Sequence, residues 1–378
     1  MKLLFRVLFL TSFIIISCQE KSTTKTKITQ HSDNQIKHAT GFAIHKYEGY
    51  SIVKVTNPWP NAEKAFTYVL KNKNGIIPDS LKEYTTITTP VEKLVVTSTT
   101  IIPFLEMLES ETKLIGFPHT DYISSPKSRA LIKSGQIRDV GQNENLNIEL
   151  LFDMQPEAIV TFGIDNTNKM VDKLTSNGLK VLFQGDWMEQ SPLGKAEWIK
   201  FYAALLGKEK EGEKIFNSIE DNYNNALKLV KDKQPNKTVL YGSMYKDQWF
   251  VARGNSWIAQ FLHDAKANYL WQDLPGMGSE PLSFESVFEK AEHADIWITN
   301  GSIETIAQLL KENHHYQKFD AYTAKQIYSF ESEKGETGGT VYYELAPSRP
   351  DLVLKDYIKI FHPEVIPDYQ FTFAKKLE

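Results

Sequence analysis

KEKEGEKIFNSIEDNYNNALKLVKDK, residues 208–233, decides the architecture. Ile215, Ile219, Tyr223, Ala226, Leu227 and Val230 recur at intervals of three and four with charges between them, which predicts a helix of about 24 residues and about 36 Å. AEWIKFYAALLG (196–207) leads into it as a second helical pattern. Short, wholly apolar runs lie on both sides: KLVVTS, LIGF, AIVTF and KVLFQG before it, KTVLYGS, ADIWIT and QIYSF after it. Strands that are apolar at every residue are covered on both faces, as in a parallel sheet with helical crossovers. The segments around Pro103–Glu109, Ser125–Ser134, Asn168–Asn177 and Ser256–His263 supply those crossovers, several of them stopped by Gly or Asn. The fold class is therefore α/β, two lobes with central parallel sheets joined by one long helix. One packed helix resists wide hinge bending, so only small closure is expected.

The N-terminus carries a different message. Lys2 and Arg6 precede an apolar run from Val7 to Ile16 and then Ser17-Cys18. Crossing a bilayer takes about 20 residues, so this run is instead the core of an export signal. Ile15-Ile16-Ser17-Cys18 resembles the lipobox of bacterial lipoproteins, which implies cleavage before Cys18 and a lipid anchor on it. The other reading is an ordinary signal peptide with a chance cysteine. Gln19 after the cysteine shows no sorting signal. From there to about His38 the chain is Lys, Ser, Thr, Gln and Asn, too polar to offset its ordering entropy, and reads as a tether. The expected divisions are signal peptide 1–17, lipid-anchored tether 18–38, first lobe 39–206, linking helix 207–233 and second lobe 234–378. FAIHKYEGYSIVKVTNPWP (42–60) reads as a hairpin about Glu48-Gly49, an edge element of the first lobe.

Composition removes several functions. Without Lys2 and Arg6 the net charge moves from −4 to about −6, with no basic stripe, which argues against nucleic acid as a partner. Cys18 is the only cysteine, so the mature body has no thiol for disulfides, catalysis or zinc. His314 and His315 are adjacent, a spacing expected to turn them apart rather than onto one metal ion. Gly254-Asn255-Ser256 lacks the second glycine of a nucleophile elbow, and neither an H-E-x-x-H pair nor a glycine-rich phosphate loop occurs.

Layout and local motifs together resemble the class III substrate-binding proteins of ABC importers, which carry iron-siderophores, haem or cobalamin. VEKLVVTSTTIIPFLEML (91–108) resembles that family's opening strand, ligand-facing turn (Thr97 to Thr100) and helix. LIGFPHTDYISSPKSRALIKSGQIRDVGQNENLNIELLFDMQPEAIVTFG (114–163) resembles the segment that follows. Asn147-Ile148-Glu149 carries its Asn-apolar-Glu pattern, and Pro156-Glu157 precedes the strand. PLSFESVFEKAEHADIWIT (281–299) repeats the theme with Ser283-Phe284-Glu285. The resemblance implies two Rossmann-like lobes with a ligand cleft between them. It also implies that Glu149 and Glu285 dock onto arginines of the membrane permease, one from each lobe. Two separated carboxylates suit that role by charge complementarity, while a glutamate in the first turn of a helix is also favoured by the helix dipole alone.

An iron chelate or corrin offers broad apolar faces with a few rim charges, so its pocket wants aromatic walls and one or two donors. The loops after the strands are where such ligands bind. They hold Trp187, Tyr241, Tyr245, Trp249 with Arg253, and, in GGTVYYELAPSRPD (338–351), Tyr342, Tyr343 and Arg349. Gly338-Gly339 leaves backbone free to approach a ligand. Arg253 and Arg349 are the candidate partners for an anionic chelate, and Arg349 is alternatively a cap for the helix starting at Pro350. Trp198 and Trp257 fall inside helical patterns as packing residues. The expectation is an exported, lipid-anchored, monomeric solute-binding protein that delivers an iron complex, siderophore or haem, to an ABC transporter permease. It is not an enzyme and has no resident cofactor. A corrinoid is the alternative cargo, and an exported hydrolase the alternative class.

Overall fold

The computed structural model describes residues 34–378 apart from Ser302. The signal peptide, Cys18 and most of the tether lie outside the described residues. The tether's expected end does not: residues 34–38 are held to the body. The buried Glu197 carboxylate accepts the backbone N–H groups of Lys37, His38 and Ala39 at 2.7–3.0 Å. His38 Nε2 meets Glu220 at 2.6 Å. A polar composition did not prevent docking because the backbone supplies donors to Glu197, the His38 ring meets Glu220, and Ile36 and Ala39 pack on the first lobe's core.

The expected edge hairpin is part of a sheet of its own. β1 (Phe42–Tyr47) and β2 (Tyr50–Val55) pair antiparallel about Glu48-Gly49, and β3 (Phe66–Asn72) and β4 (Thr85–Thr89) extend them to four strands, the last pair parallel. Phe42, Ile44, Val53, Val55, Tyr68, Leu70 and Ile87 turn one face of this sheet into the first lobe's core. That burial, available only with all four strands together, is what makes it more than a hairpin.

The first parallel sheet contains β5 (Leu94–Val96), β6 (Leu114–Phe117), β7 (Arg138–Asp139), β10 (Ala158–Phe162) and β11 (Val181–Gln184) in the order β11-β10-β5-β6-β7; a small hairpin, β8 (Gly141–Gln142) and β9 (Asn145–Leu146), stands outside it. Its crossovers are α1 (Ile102–Met107), α2 (Pro126–Lys133), α3 (Ile148–Met154) and α4 (Lys169–Ser176). Leu94, Val96, Ala158 and Val160 join one core layer and Val95 and Ile159 the opposite one, so both faces of the sheet are dry. That explains the unbroken apolar runs.

α5 (Pro192–Glu197) and α6 (Ile199–Leu206) lead to α7 (Glu209–Leu229), 21 residues and about 31 Å. It is shorter than expected, because the apolar rhythm ends when Val230 turns into the core and the residues beyond it are polar. Phe216 and Ile219 pack into the first lobe's core, Tyr223, Ala226 and Val230 into the second's. One amphipathic stripe thus serves two cores. Gly212 permits the close approach of α6, since a Cβ there would lie 2.4 Å from that of Ala203.

The second lobe runs β12 (Thr238–Tyr241), β13 (Met244–Tyr245), β14 (Gln248–Ala252), α8 (Trp257–Asp264), β15 (Asn268–Tyr269), β16 (Ser279–Leu282), α9 (Phe284–Ala291), β17 (Ile296–Thr299), α10 (Ile306–Glu312), α11 (Asp320–Thr323), β18 (Ile327–Ser329), α12 (Val341–Leu345), α13 (Pro350–Phe361) and β19 (Lys375–Lys376). Its main sheet has the order β15-β12-β17-β18-β19, parallel except for β19, and β13-β14-β16 form a separate antiparallel sheet. The chain passes between the two parallel sheets once, through α7. The protein is thus a mixed α/β fold with two Rossmann-like, parallel-sheet lobes.

Candidate functional site

The strand ends of the two sheets meet. α12, which follows β18, packs on α1 and on the 3-10 turn Thr99–Ile101 that follows β5. The Glu344 carboxylate, buried on α12, accepts the backbone N–H of Ser124 at 2.7 Å and of Ser125 at 2.9 Å from the other lobe. Thr337 Oγ1 donates to the Asp121 carbonyl at 2.7 Å, and Lys133 reaches Glu336 at 2.8 Å. Gly339 comes so close to Tyr122 that a Cβ would sit 2.2 Å from its carbonyl oxygen. The freedom of this glycine serves the contact between lobes, where the sequence alone pointed to a ligand.

Exposed large apolar side chains gather on the segments that leave these strands: Tyr122 after β6, Ile164 after β10, Trp187 after β11, Tyr245 after β12, Met277 after β15 and Tyr343 after β18. Exposed rings concentrated at one end of two sheets are a binding feature rather than chance surface. Beneath them, Glu331 sits just past β18, 7% exposed, accepting the Gly301 N–H at 2.7 Å and the Tyr343 phenol. Burial raises its carboxyl above the usual glutamate value, opposed by those two hydrogen bonds. Burial and then the Glu331 charge push the Tyr343 phenol upward in turn. On the first lobe, the hydroxyls of Thr97 and Thr161 pair at 2.9 Å and those of Ser98 and Thr100 at 2.9 Å. Lys195, buried on α5, donates to the carbonyls of Asp186 (2.8 Å) and Trp187 (3.2 Å) and lies over the Trp257 ring of the second lobe. It fixes the Trp187 turn against both lobes.

The candidates fare differently. Trp187, Tyr245 and Tyr343 are exposed at the strand ends. Tyr241 ends β12 with its phenol pushed up by burial and by Glu331. Trp249 is a correction: it lies on β14, is fully buried among Trp297, Tyr316 and Phe319, and donates its indole N–H to the Tyr241 carbonyl. It has no surface to offer a ligand. Tyr342 is likewise a core ring, against Trp257, Phe330 and Phe373. Both arginines are committed elsewhere. Arg253 pairs with Glu280 and donates to the Pro275 carbonyl. Arg349 makes two bonds to Asp351, at 2.9 and 2.8 Å, directly before α13, and borders a groove of about 500 Å³ along α7. That groove also takes in Met107–Glu109 at the C-terminal end of α1, remote from the strand ends. Arg349 stands at the N-cap position of α13, but its side chain makes no capping bond to the helix backbone and is held instead by the Asp351 carboxylate in the first turn. Trp198 is fully buried and Trp257 packs on the core.

Sequence reasoning missed Tyr122, Ile164 and Glu331, although each follows an apolar run as Trp187 does, and Met277, which lies beyond the two-residue β15 that no such run announced. Glu344 and Lys195 had no sequence signal, since their partners are remote in the chain or belong to the backbone.

Glu149 and Glu285 are exposed in the first turns of α3 and α9, one on each lobe, behind Asn147 and Ser283 as side-chain caps. The rings of His314 and His315 lie 3.9 Å apart, not turned away from each other, because they share a 3-10 turn. Among the described residues no group of three His, Asp or Glu is arranged to hold a metal ion, and no helix is long and apolar enough to cross a membrane.

The profile of the periplasmic binding protein family matches residues 94–333. An uncharacterized lipoprotein of Methanocaldococcus jannaschii is 27% identical over 389 residues, 96% of this chain and 90% of the relative. A periplasmic heme binding protein from Pseudomonas aeruginosa shares the fold with a TM-score of 0.57 at 18% identity, over 76% of this chain and 98% of its own. The periplasmic vitamin B12 binding protein of Vibrio cholerae does so with a TM-score of 0.53 at 12% identity, over 74% and 99%. Two parallel-sheet lobes bridged by one helix, and a profile match across both, have a single meaning: the chain belongs to the periplasmic binding protein family, which is one of solute-binding proteins and not of enzymes.

Proposed function

We propose that this chain is the lipid-anchored solute-binding component of an ABC importer, that it captures a bulky metal chelate, in the first place an iron complex, between its lobes, and that it hands it to a membrane permease. The observation that carries this reading is the gathering of exposed rings at the strand ends of both sheets. Such rings bury the flat or bulky faces of a chelate, and affinity comes from the area removed from water less the cost of ordering. No bond is made or broken in the cargo. The heme-binding and vitamin B12-binding proteins of the same fold agree with a chelate as cargo. Glu149 and Glu285 are the proposed docking points, two exposed carboxylates that orient the loaded protein on a basic permease face. Export and anchoring at Cys18 rest on the N-terminal sequence and agree with the lipoprotein relative.

Titration of the purified full chain with haem, ferric siderophores and cobalamin, followed by visible absorption and tryptophan fluorescence, tests the reading. A saturable change at micromolar or lower concentration with at least one of them is expected. No saturable response to any of them overturns it.

A further inference from the structure

Resting on that reading of the cleft, we infer that the cargo is an uncharged or cationic chelate, and that the site discriminates against chelates of net negative charge. The cations are used up. All four arginines among the described residues are engaged: Arg129 with the Thr120 carbonyl at 2.7 Å and Asp121 at 3.7 Å, Arg138 with Asp153 at 2.8 Å, Arg253 with Glu280, and Arg349 with Asp351. An anionic rim group would have to break one of these pairs to be met by a guanidinium. Residues 118–125, 163–168, 185–191, 242–247, 270–278, 300–305 and 330–340, which follow the sheet strands, hold ten carboxylates against two lysines, and three of the ten are taken up elsewhere: Asp121 by Arg129, Glu336 by Lys133 and Glu189 by the backbone of Thr40 and Gly41. Of those lysines, Lys246 lies over the ring of Tyr245 and Lys334 donates to Thr340 Oγ1 at 2.6 Å. Lys195 is buried, donates to two carbonyls, and its charge is set against the Asp186 and Glu189 carboxylates beside it.

The wall itself is negative. Glu331 is nearly buried beyond the central strands, directly bonded to the half-exposed Tyr343. Asp186, 2% exposed on the turn that presents Trp187, lies beside the buried Lys195 ammonium, so these two offset each other and Glu331 supplies the charge that is left. Desolvated charge is poorly screened, so it acts on a ligand held between the lobes more strongly than a surface carboxylate would. A ligand bearing an ammonium arm gains from this wall, a neutral one is tolerated, and one bearing carboxylates or catecholates is repelled.

Four chelates test this with the full chain: ferrioxamine B (cationic), ferrichrome (neutral), ferric enterobactin (anionic) and haem with its two propionates. Ferrioxamine B and ferrichrome should bind at least about tenfold tighter than the two anions. Between about 20 and about 300 mM NaCl the affinity for the cation should fall and that for the neutral chelate stay level. Glu331→Gln, which keeps an acceptor for Gly301, should lower the affinity for ferrioxamine B severalfold more than that for ferrichrome. Tyr343→Phe keeps ring and carboxylate and should preserve the charge order. Tightest binding of haem or ferric enterobactin overturns the inference while leaving the chelate-binding reading intact. A salt dependence of opposite sign in the unmodified chain does the same even if the Glu331 variant fails to fold. Silence from all four overturns the inference, and silence from cobalamin as well overturns the chelate-binding reading with it.

Discussion

Two tryptophans, one on each lobe, show what a side chain's address decides. Trp187 is exposed on a turn and Trp249 is fully buried on a strand, though both stand in segments that read as ligand loops. Trp187→Ala should weaken chelate binding about tenfold, the loss of one stacked ring, with little change in melting temperature. Trp249→Ala should cost about 3–5 kcal/mol of stability, as deletion of a large core ring does, read by urea unfolding. The difference was not legible because WFVA alternates as well on a strand as beside a cleft, and only the closing of Trp297, Tyr316 and Phe319 around the ring decides. The arginines were misread for a related reason: their partners are acids, Glu280 and Asp351, that the sequence offers no means of pairing in advance. Glu197 provides a pH signature. Burial pushes its carboxyl up, but the Lys200 hydrogen bond and the N–H groups of residues 37–39 outweigh this and lower it below the usual 4.5. A lowered folded value means stability that is present above pH 4.5 and lost as the pH falls through the folded value. Glu197→Gln should therefore cost about 1–3 kcal/mol at neutral pH, and the gap to the unmodified chain should close in acid.

Among the elements, α7 was the most legible, because a three-four rhythm over twenty residues admits one reading, and the apolar runs on either side fell where strands formed. Its ends, and the sheet made by β1 to β4, were less so. FTYVLKN and TTITT carry strand character, but the prolines at positions 58 and 60 closed the reading one hairpin too early. Pairing β4 alongside β3 is a long-range choice made by the core beneath. The contact of α7 with α6 has a sharper consequence. Gly212→Ala places a methyl 2.4 Å from the Ala203 Cβ, and the helices must part. The expected cost is about 1–3 kcal/mol, as for other overpacked contacts, measured by thermal unfolding, with weaker chelate binding because α7 serves both cores.

For the whole molecule, the separation of capture from delivery is the testable property. Glu149 and Glu285 stand on helices of different lobes and not on the segments that carry the exposed rings, so Glu149→Lys and Glu285→Lys should leave chelate affinity unchanged and reduce import in reconstituted vesicles by about tenfold each. Loss of affinity in either variant would instead place that residue in the cleft. The two-lobed plan could be read from the order of elements alone, whereas the way the lobes touch could not. Glu344 finds Ser124 across more than two hundred residues of chain, and a backbone amide leaves no trace in a sequence.

The strip from Lys37 to Gly41, clamped by Glu197 and Glu189 beside the bridging helix, has a mechanical corollary. Any tug arriving from upstream meets α5 and, through His38 and Glu220, the molecule's spine, so the pull is borne by the helix that both cores share rather than by one lobe alone.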